Sequence, residues 1–309
     1  MTNRKPIVTV GMPVRNGEPY LSEAIESILN QSFGDFELIV SDNASTDATA
    51  DICASFAAHD ARVRYRRNVH NLGASANYNL VFSQAKGRYF KWAAHDDVCK
   101  PQFLESCVDV LEGRPDVTIT CPRSLFIDAG GKIIRSGASS LSLDCATPAR
   151  RFSAMISNLI RSTDTYWSIF GLIRSDALRR TRMMGNYTGT DQVLFMHLVL
   201  LGRFVQIPDA LFLRRSHSQA SMERNRTPHE RDRWHDPINT QRVLLPAWMT
   251  LFERLQIIRA AQIGHRQSLA CSIHIGRLVM ANWRKYGGEL KRIPGMIRNG
   301  GQVDSIGIE

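Results

Sequence analysis

The chain has 309 residues, of which 43% are hydrophobic and 22% charged. That is enough apolar material for a large core and enough length for roughly two domains, which excludes a disordered or fibrous chain. Lys and Arg number 39 against 29 acids, a net charge of +10, so an anionic partner is expected.

In chain order, Ile7 to Val14 is a nearly continuous apolar run containing Pro13, the pattern of a central strand covered on both faces. It is too short for a secretory signal core, so no leader of that kind is predicted. Leu21, Ala24, Ile25, Ile28 and Leu29 share one helical face, and Phe36 to Val40 is a second strand. After the polar turn from Asp42 to Asp47 a helix runs through Ile52 and Phe56, with Ser45 or Thr46 as its expected N-cap. A strand near Val63 to Arg66, a helix near Ala74 to Gln84 and a strand from Tyr89 to Trp92 complete an open, mainly parallel α/β sheet flanked by helices.

Beyond Pro101 the rhythm loosens. Thr118 to Cys121 reads as a strand, Leu125 to Ile134 as a hairpin turning at Asp128-Ala129-Gly130-Gly131, and residues 148 to 162 as a helix. Ile169 to Arg174 is expected to be a strand, and Val193 to Leu201 a helix closed by Gly202. Glu223 to His235 is charged and aperiodic and reads as a linker, after which Val243 to Met280 is helical in pattern. No window reaches the ~18 apolar residues of a membrane-spanning helix. The six cysteines form no C-x-x-C pair, which argues against a disulfide framework or structural zinc and fits a reducing, cytoplasmic setting.

Ligands of open α/β sheets bind at the carboxyl ends of the strands. Three polar clusters fall there: Pro13-Val14-Arg15-Asn16, Asp42 to Asp47, and Ala94-His95-Asp96-Asp97. The adjacent carboxylates of the third would repel unless a cation or hydrogen-bond donors compensate them, although aspartates also cap helices. Asp42 is an Asx-turn residue on one reading and a base or ribose acceptor on the other. Trp167 and Phe170 could stack on an acceptor sugar, whereas Trp92, on a central strand, reads as core.

PVRNGEPYL (13 to 21), ELIVSDNASTD (37 to 47), NLGASANYN (71 to 79), GRYFKWAAHDD (87 to 97) and GTDQVLFMHLVLLG (189 to 202) follow one another in an order that resembles family 2 glycosyltransferases. These are inverting enzymes with the GT-A fold, and F-K-W followed by H-D-D resembles a bacterial subgroup. The resemblance spans about residues 6 to 221 and implies a nucleotide-diphosphate sugar donor and a glycan or lipid-linked acceptor. It implies that Pro13, Arg15, Asn16 and Ser45 border the nucleotide, that Asp42 accepts a hydrogen bond from the base, and that Asn71 and Gly73 belong to the loop over the nucleotide. Asp96 matches the position that touches ribose or sugar. Asp97 matches the ligand of a divalent cation, Mg²⁺ or Mn²⁺, and His217 lies where related enzymes place a metal-binding histidine. Asp191 matches the general base that takes the acceptor's proton.

Three departures from the pattern are visible, the first being that Tyr78 or Asn77 stands where an arginine often follows the N-x-G loop. Ala94 stands where a first carboxylate is usual and Thr190 where a glutamate is, so a non-catalytic nucleotide-sugar binding module is the alternative. A sugar nucleotidyltransferase would carry a glycine-rich basic loop after strand 1, and PVRNGEPYL has one glycine and one arginine. The chain is therefore expected to divide into a GT-A domain over 1 to 222 and a basic, mostly helical extension over 223 to 309. Between Asn239 and Gly300 there are ten basic residues against Glu253 and Glu289. With the apolar face Leu244, Leu245, Trp248, Leu251, Phe252, Leu255 and Ile258, this suggests either an anionic membrane surface on the inner face of the plasma membrane or packing against the domain itself. No nucleic-acid motif is present.

Overall fold

The computed structural model describes residues 5–137, 143–161, 163–225, 227–238 and 245–298. One mixed sheet of nine strands organises them. Strands β1 (Val8–Val14), β2 (Phe36–Asp42), β3 (Val63–Arg67) and β4 (Tyr89–Trp92) pair in parallel in the order β3-β2-β1-β4. Between them run helices α1 (Leu21–Leu29), α2 (Thr49–His59) and α3 (Ala74–Ser83). Every residue of β1, β2 and β4 is buried, which is why these strands read as unbroken runs. Pro13 is tolerated in a central strand for a local reason. Ala93 N–H donates to Gly11 O, so odd positions of β1 face β4, and pairing with β4 ends at Gly11 and Trp92; the missing N–H lies past that end.

The remaining elements are β5 (Val98–Cys99), α4 (Phe103–Gly113), β6 (Val117–Ile127), β7 (Ile133–Ser136), α5 (Pro148–Arg161), a 3₁₀ segment (Thr163–Phe170) and β8 (Leu172–Arg174). They continue with α6 (Ser175–Arg179), α7 (Thr190–Leu201), β9 (Arg203–Arg215), α8 (Ser221–Arg224), α9 (Pro228–His235), α10 (Pro246–Ala260), α11 (His265–Ala281) and α12 (Trp283–Arg298). Here the sheet turns mixed: β8 is antiparallel to β4 and β6, β9 runs parallel to β6, and β5 is antiparallel to β9.

Several local expectations are corrected. The strand expected over 169 to 174 begins only at Leu172, after the 3₁₀ segment. Helix α2 is capped by Ala48 without a side-chain bond, because Asp47 Oδ1 instead receives the Thr49 N–H at 3.1 Å and Ser45 and Thr46 are held by Asn16. The expected linker is helical: α9 opens with Thr227 and Glu230 in a reciprocal capping box and Pro228 in the first turn. The tail packs inward through Ile257, Ile258, Cys271 and Ile275, each at most 4% exposed. Its expected apolar face is therefore split, with Ile258 inside and Leu255 outside, while Leu244 lies outside the described residues. Among the described residues no helix is long and apolar enough to cross a membrane.

Candidate active site

The loops after β1 and β2 are tied to each other before any ligand is considered. Asn16, in the left-handed region at φ 54°, donates its N–H to Ser45 Oγ at 2.9 Å and accepts the Thr46 N–H on Oδ1 at 2.9 Å. Ser45 is buried, and its own N–H goes to Asp42 Oδ1 at 2.8 Å. Asp42 Oδ2 receives the Tyr65 hydroxyl at 3.1 Å, with Arg67 Nε 3.6 Å away. At 0% exposure, Asp42 supports the loop from beneath and, as folded, has no surface from which to meet a base. Arg15 is exposed, whereas Pro13 is buried.

The N-x-G loop is fixed by asparagines. Asn43 Nδ2 donates to Asn71 Oδ1 at 2.8 Å and to Gly73 O at 3.2 Å, and Asn43 Oδ1 accepts the Leu72 N–H at 2.8 Å. Gly73 has φ +85°, and a Cβ there would lie 2.2 Å from the His235 carbonyl oxygen. Only glycine satisfies both conditions. Beside it, Ser75 Oγ donates to Gly185 O at 2.8 Å and meets His235 Nδ1 at 2.9 Å. Helix α9, unrecognised in the sequence, is thus clamped on the loop expected to cover the nucleotide.

After β4 the two carboxylates part company. Asp96 Oδ2 pairs with His217 Nε2 at 3.0 Å. Burial raises its pKa, but the His217 hydrogen bond and the positive charges of His95, His217 and Arg214 outweigh burial, and the carboxyl falls below its ordinary value. Asp97 Oδ1 accepts the Arg215 N–H at 3.0 Å, and Oδ2 lies 3.9 Å from Arg214 Nε. Burial, followed by the charge of Asp96, holds Asp97 well above the carboxylate range. The imidazole of His217 therefore sits on Asp96 rather than on Asp97; its Nδ1 is buried and has no partner among the described residues.

Arg214 and Arg215, at the end of β9, escape sequence reasoning. The Arg215 side chain is 2% exposed and reaches Glu23 Oε2 at 2.5 Å. It also reaches Asp96 O at 3.0 Å and the turn carbonyls of Asp128 and Ala129. Arg214 stacks 3.1 Å from the Trp167 ring centre, so one face of the expected acceptor platform is occupied by a guanidinium. Trp92 is 0% exposed and belongs to the core. The signal available was the pair itself, Arg214-Arg215 two residues before His217.

Asp191 is in the first turn of α7, whose N-cap is Gly189, so its carboxylate is not a cap. Burial raises its pKa against the opposing backbone N–H groups of Gln192 and Asp191. Thr190 is buried and accepts the Gly185 N–H, which fixes the loop entering α7. The Tyr78 phenol is raised first by burial and then by the charges of Asp96, Asp97 and Asp191.

Two adjacent carboxylates and a buried imidazole nitrogen without a partner among the described residues are oxygen and nitrogen donors of the kind that bind Mg²⁺ or Mn²⁺. Among the described residues no three acidic, histidine or cysteine side chains already converge as a cation cage.

A mixed sheet with its polar loops gathered at the ends of β1, β2 and β4 matches the family model for glycosyl transferase family 2 over residues 9–186. The chain belongs to that family. It is 38% identical over 130 residues to the putative glycosyltransferase EpsE of Bacillus subtilis, covering 42% of this chain and 47% of that one. To an uncharacterized glycosyltransferase of Methanocaldococcus jannaschii it is 35% identical over 133 residues, 42% of this chain and 46% of the other. The chain spans less than half the length of these curated relatives. In fold it resembles S. aureus TarS 1-349 in complex with UDP-GlcNAc, with a TM-score of 0.57 at 16% identity, over 95% of this chain and 92% of that one. The glycosyltransferase GT-A architecture is therefore the fold of this chain.

Proposed function

We propose that the chain transfers a sugar from a nucleotide-diphosphate donor to a hydroxyl of a glycan or lipid-linked acceptor, with inversion and with Asp191 as general base. The observation that carries this reading is Asp191 itself: a carboxylate in the first turn of α7, within the GTDQ segment, whose basicity is raised by burial. The base takes the proton of the acceptor hydroxyl as that oxygen bonds to the anomeric carbon and the bond to the diphosphate breaks on the opposite face. Raised basicity favours that step.

The donor half is supported by the rigid Asn16, Asn43, Asn71 and Gly73 framework, on which the nucleotide would lie. Support for a nucleotide sugar also comes from TarS, solved with UDP-GlcNAc, and from a mannosyltransferase of Pyrobaculum calidifontis, solved with GDP-Man and Mn²⁺, with a TM-score of 0.51 at 15% identity. Asp97, with Asp96 and His217 beside it, would hold a divalent cation, which when bound neutralises diphosphate charge. A relative named as a putative teichuronic acid biosynthesis glycosyltransferase, 34% identical over 37% of this chain and 45% of that one, supports a surface polysaccharide as the product class.

In this reading residues 1 to 222 are the donor-binding unit and 223 to 309 a basic, mostly helical extension, whose helix α9 lies against the Gly73 loop. Peripheral attachment at the cytoplasmic face of the plasma membrane belongs to the same reading. Leu269, Ile273, Met280, Trp283 and Leu290 are 46–69% exposed on α11 and α12, with Arg266, Arg277 and Arg284 exposed on the same helices. Each basic residue contributes about 1 kcal/mol at an anionic surface. Co-sedimentation that ignores anionic lipid content would refute the attachment.

Transfer is tested by nucleotide release from UDP-, GDP- and dTDP-sugars with Mn²⁺, comparing wild type with Asp191→Asn. Donor affinity should hold while the transfer rate falls ~10²- to 10⁴-fold. A variant that transfers at the wild-type rate removes Asp191 from the mechanism.

A further inference from the structure

Beside the first turn of α7 lies a cavity of about 470 Å³, bounded by Gly189 and Gln192 on one side and by α9, α10 and α12 on the others. That volume is in the range of small-molecule sites. Four cations line it: Arg231 from α9, Arg254 from α10, and Arg284 and Lys285 from α12. The one acid in the wall is Glu289. Its carboxylate is engaged by the first amides of α10, receiving Ala247 N–H at 3.0 Å on each oxygen and Trp248 N–H at 3.4 Å. Among the described residues no carboxylate stands within ion-pair distance of Arg231, Arg284 or Lys285. The positive charges of Arg231, Arg284 and Lys285, gathered around one concavity, repel one another until an anion enters.

The position of the cavity decides which substrate supplies that anion. The donor framework lies at the ends of β1 and β2 and at the Gly73 loop, whereas the cavity is walled by Gly189 and Gln192, which flank Asp191, and by α10 and α12. His235 on α9 covers Gly73, and Arg231, one turn earlier and about 6 Å along the helix axis, faces the cavity. A molecule held by Arg231, Arg284 and Lys285 would therefore lie beside the turn of α7 that carries Asp191.

We propose that this cavity binds an acidic group, a phosphate or a carboxylate, carried by the acceptor. The proposal rests on the transferase reading for the identity of the occupant, since it is Asp191 as base that makes the neighbouring cavity an acceptor site. It assigns the acceptor to the anionic glycans or phosphate-bearing carriers, and it gives the basic extension a direct part in substrate recognition.

Calorimetry on the full chain, with UDP and Mn²⁺ at saturation, tests it with inorganic phosphate, glycerol 3-phosphate and glucuronate as probes. At least one should bind, with affinity that falls as NaCl rises. Arg284 and Lys285 are both exposed, so Arg284→Gln combined with Lys285→Gln should leave the fold and UDP affinity intact while weakening the probe at least tenfold. Arg231→Gln, on a different element, should weaken it as well. Preference for the phosphates points to a phosphate-bearing acceptor, and preference for glucuronate to a uronic acid glycan. Absence of all three from wild type, or equal binding by the double variant, overturns the proposal. If UDP itself fails to bind wild type while the probes still depend on Arg284 and Lys285, the transferase reading falls and the anion site stands.

Discussion

Two histidines are buried as neutral rings, and they should make the chain acid-labile in a measurable window. His235 is 9% exposed against Ser75 and Gly73, and His197 is 0% exposed, with Nδ1 receiving the Arg182 N–H at 3.3 Å and Nε2 without a partner among the described residues. Burial pushes each from 6.5 down to about 4. A histidine depressed in the folded state stabilises above its unfolded pKa and loses that contribution as pH falls from 6.5 toward 4, because the unfolded chain then binds the extra proton. At 1.36 kcal/mol per unit the full loss is about 3 kcal/mol for each ring, and about 2 kcal/mol of it is spent by pH 5. Asp97 and Asp191 act in the opposite sense, since carboxyls raised in the folded state take up protons first and gain stability on acidification. The clean observable is therefore a difference. Urea unfolding of wild type and His235→Gln in metal-free buffer should give a gap that shifts by about 2 kcal/mol in favour of the variant between pH 7.5 and pH 5. A gap constant to within about 0.5 kcal/mol over that range would refute the argument that His235 is held neutral.

Three further outcomes follow from the geometry. Asp97→Asn should abolish the Mn²⁺ dependence of UDP binding in calorimetry while the unfolding transition stays cooperative; undiminished cation dependence would take the metal role from Asp97. Gly73→Ala meets both a positive φ and the His235 carbonyl at 2.2 Å, so it should cost more than the roughly 1–2 kcal/mol of left-handed strain alone. Limited proteolysis should then cut sooner around α9, and a cleavage pattern like wild type would count against the clamp. Ile257→Ala, at a site 1% exposed, should cost about 2–5 kcal/mol in chemical unfolding if α10 completes the core. A loss below ~0.5 kcal/mol would mean that it does not.

The first hundred residues were legible because parallel strands buried on both faces leave a signature in composition alone, as in VTVGMPV and FELIVSD. Strand β9 left none. Its thirteen residues include Pro208-Asp209, its burial does not alternate, and its pairing with β6 shifts register more than once, so no period of two survives. Helix α9 was hidden by its charge, although the Thr227-Pro228-His229-Glu230 start was there to be read. In the candidate site, motif order pointed to Asp96, Asp97 and Asp191. Which carboxylate His217 would choose depends on tertiary geometry, as does the burial of Arg215, whose partner Glu23 is 192 residues away. Asp42 illustrates the same limit: the sequence allowed either a base acceptor or an Asx turn, and only packing against Tyr65 and Arg67 shows that its oxygens are committed within the protein.

The bond from Arg215 N–H to Asp97 spans 118 residues, and this sets an order of assembly. The parallel strands β1 and β2 pair across one short crossover, Val8 beside Phe36, whereas the carboxylate loop after β4 stays without its amide donor and guanidinium neighbours until β9 docks against β6. Closing so long a loop is entropically late. The chain should therefore gain its sheet before its chemistry, and pulse-labelled amide exchange during refolding should protect β1 and β2 ahead of Arg215. A folding intermediate of this protein would possess the scaffold of a transferase while lacking the electrostatics that let Asp96 and Asp97 sit side by side.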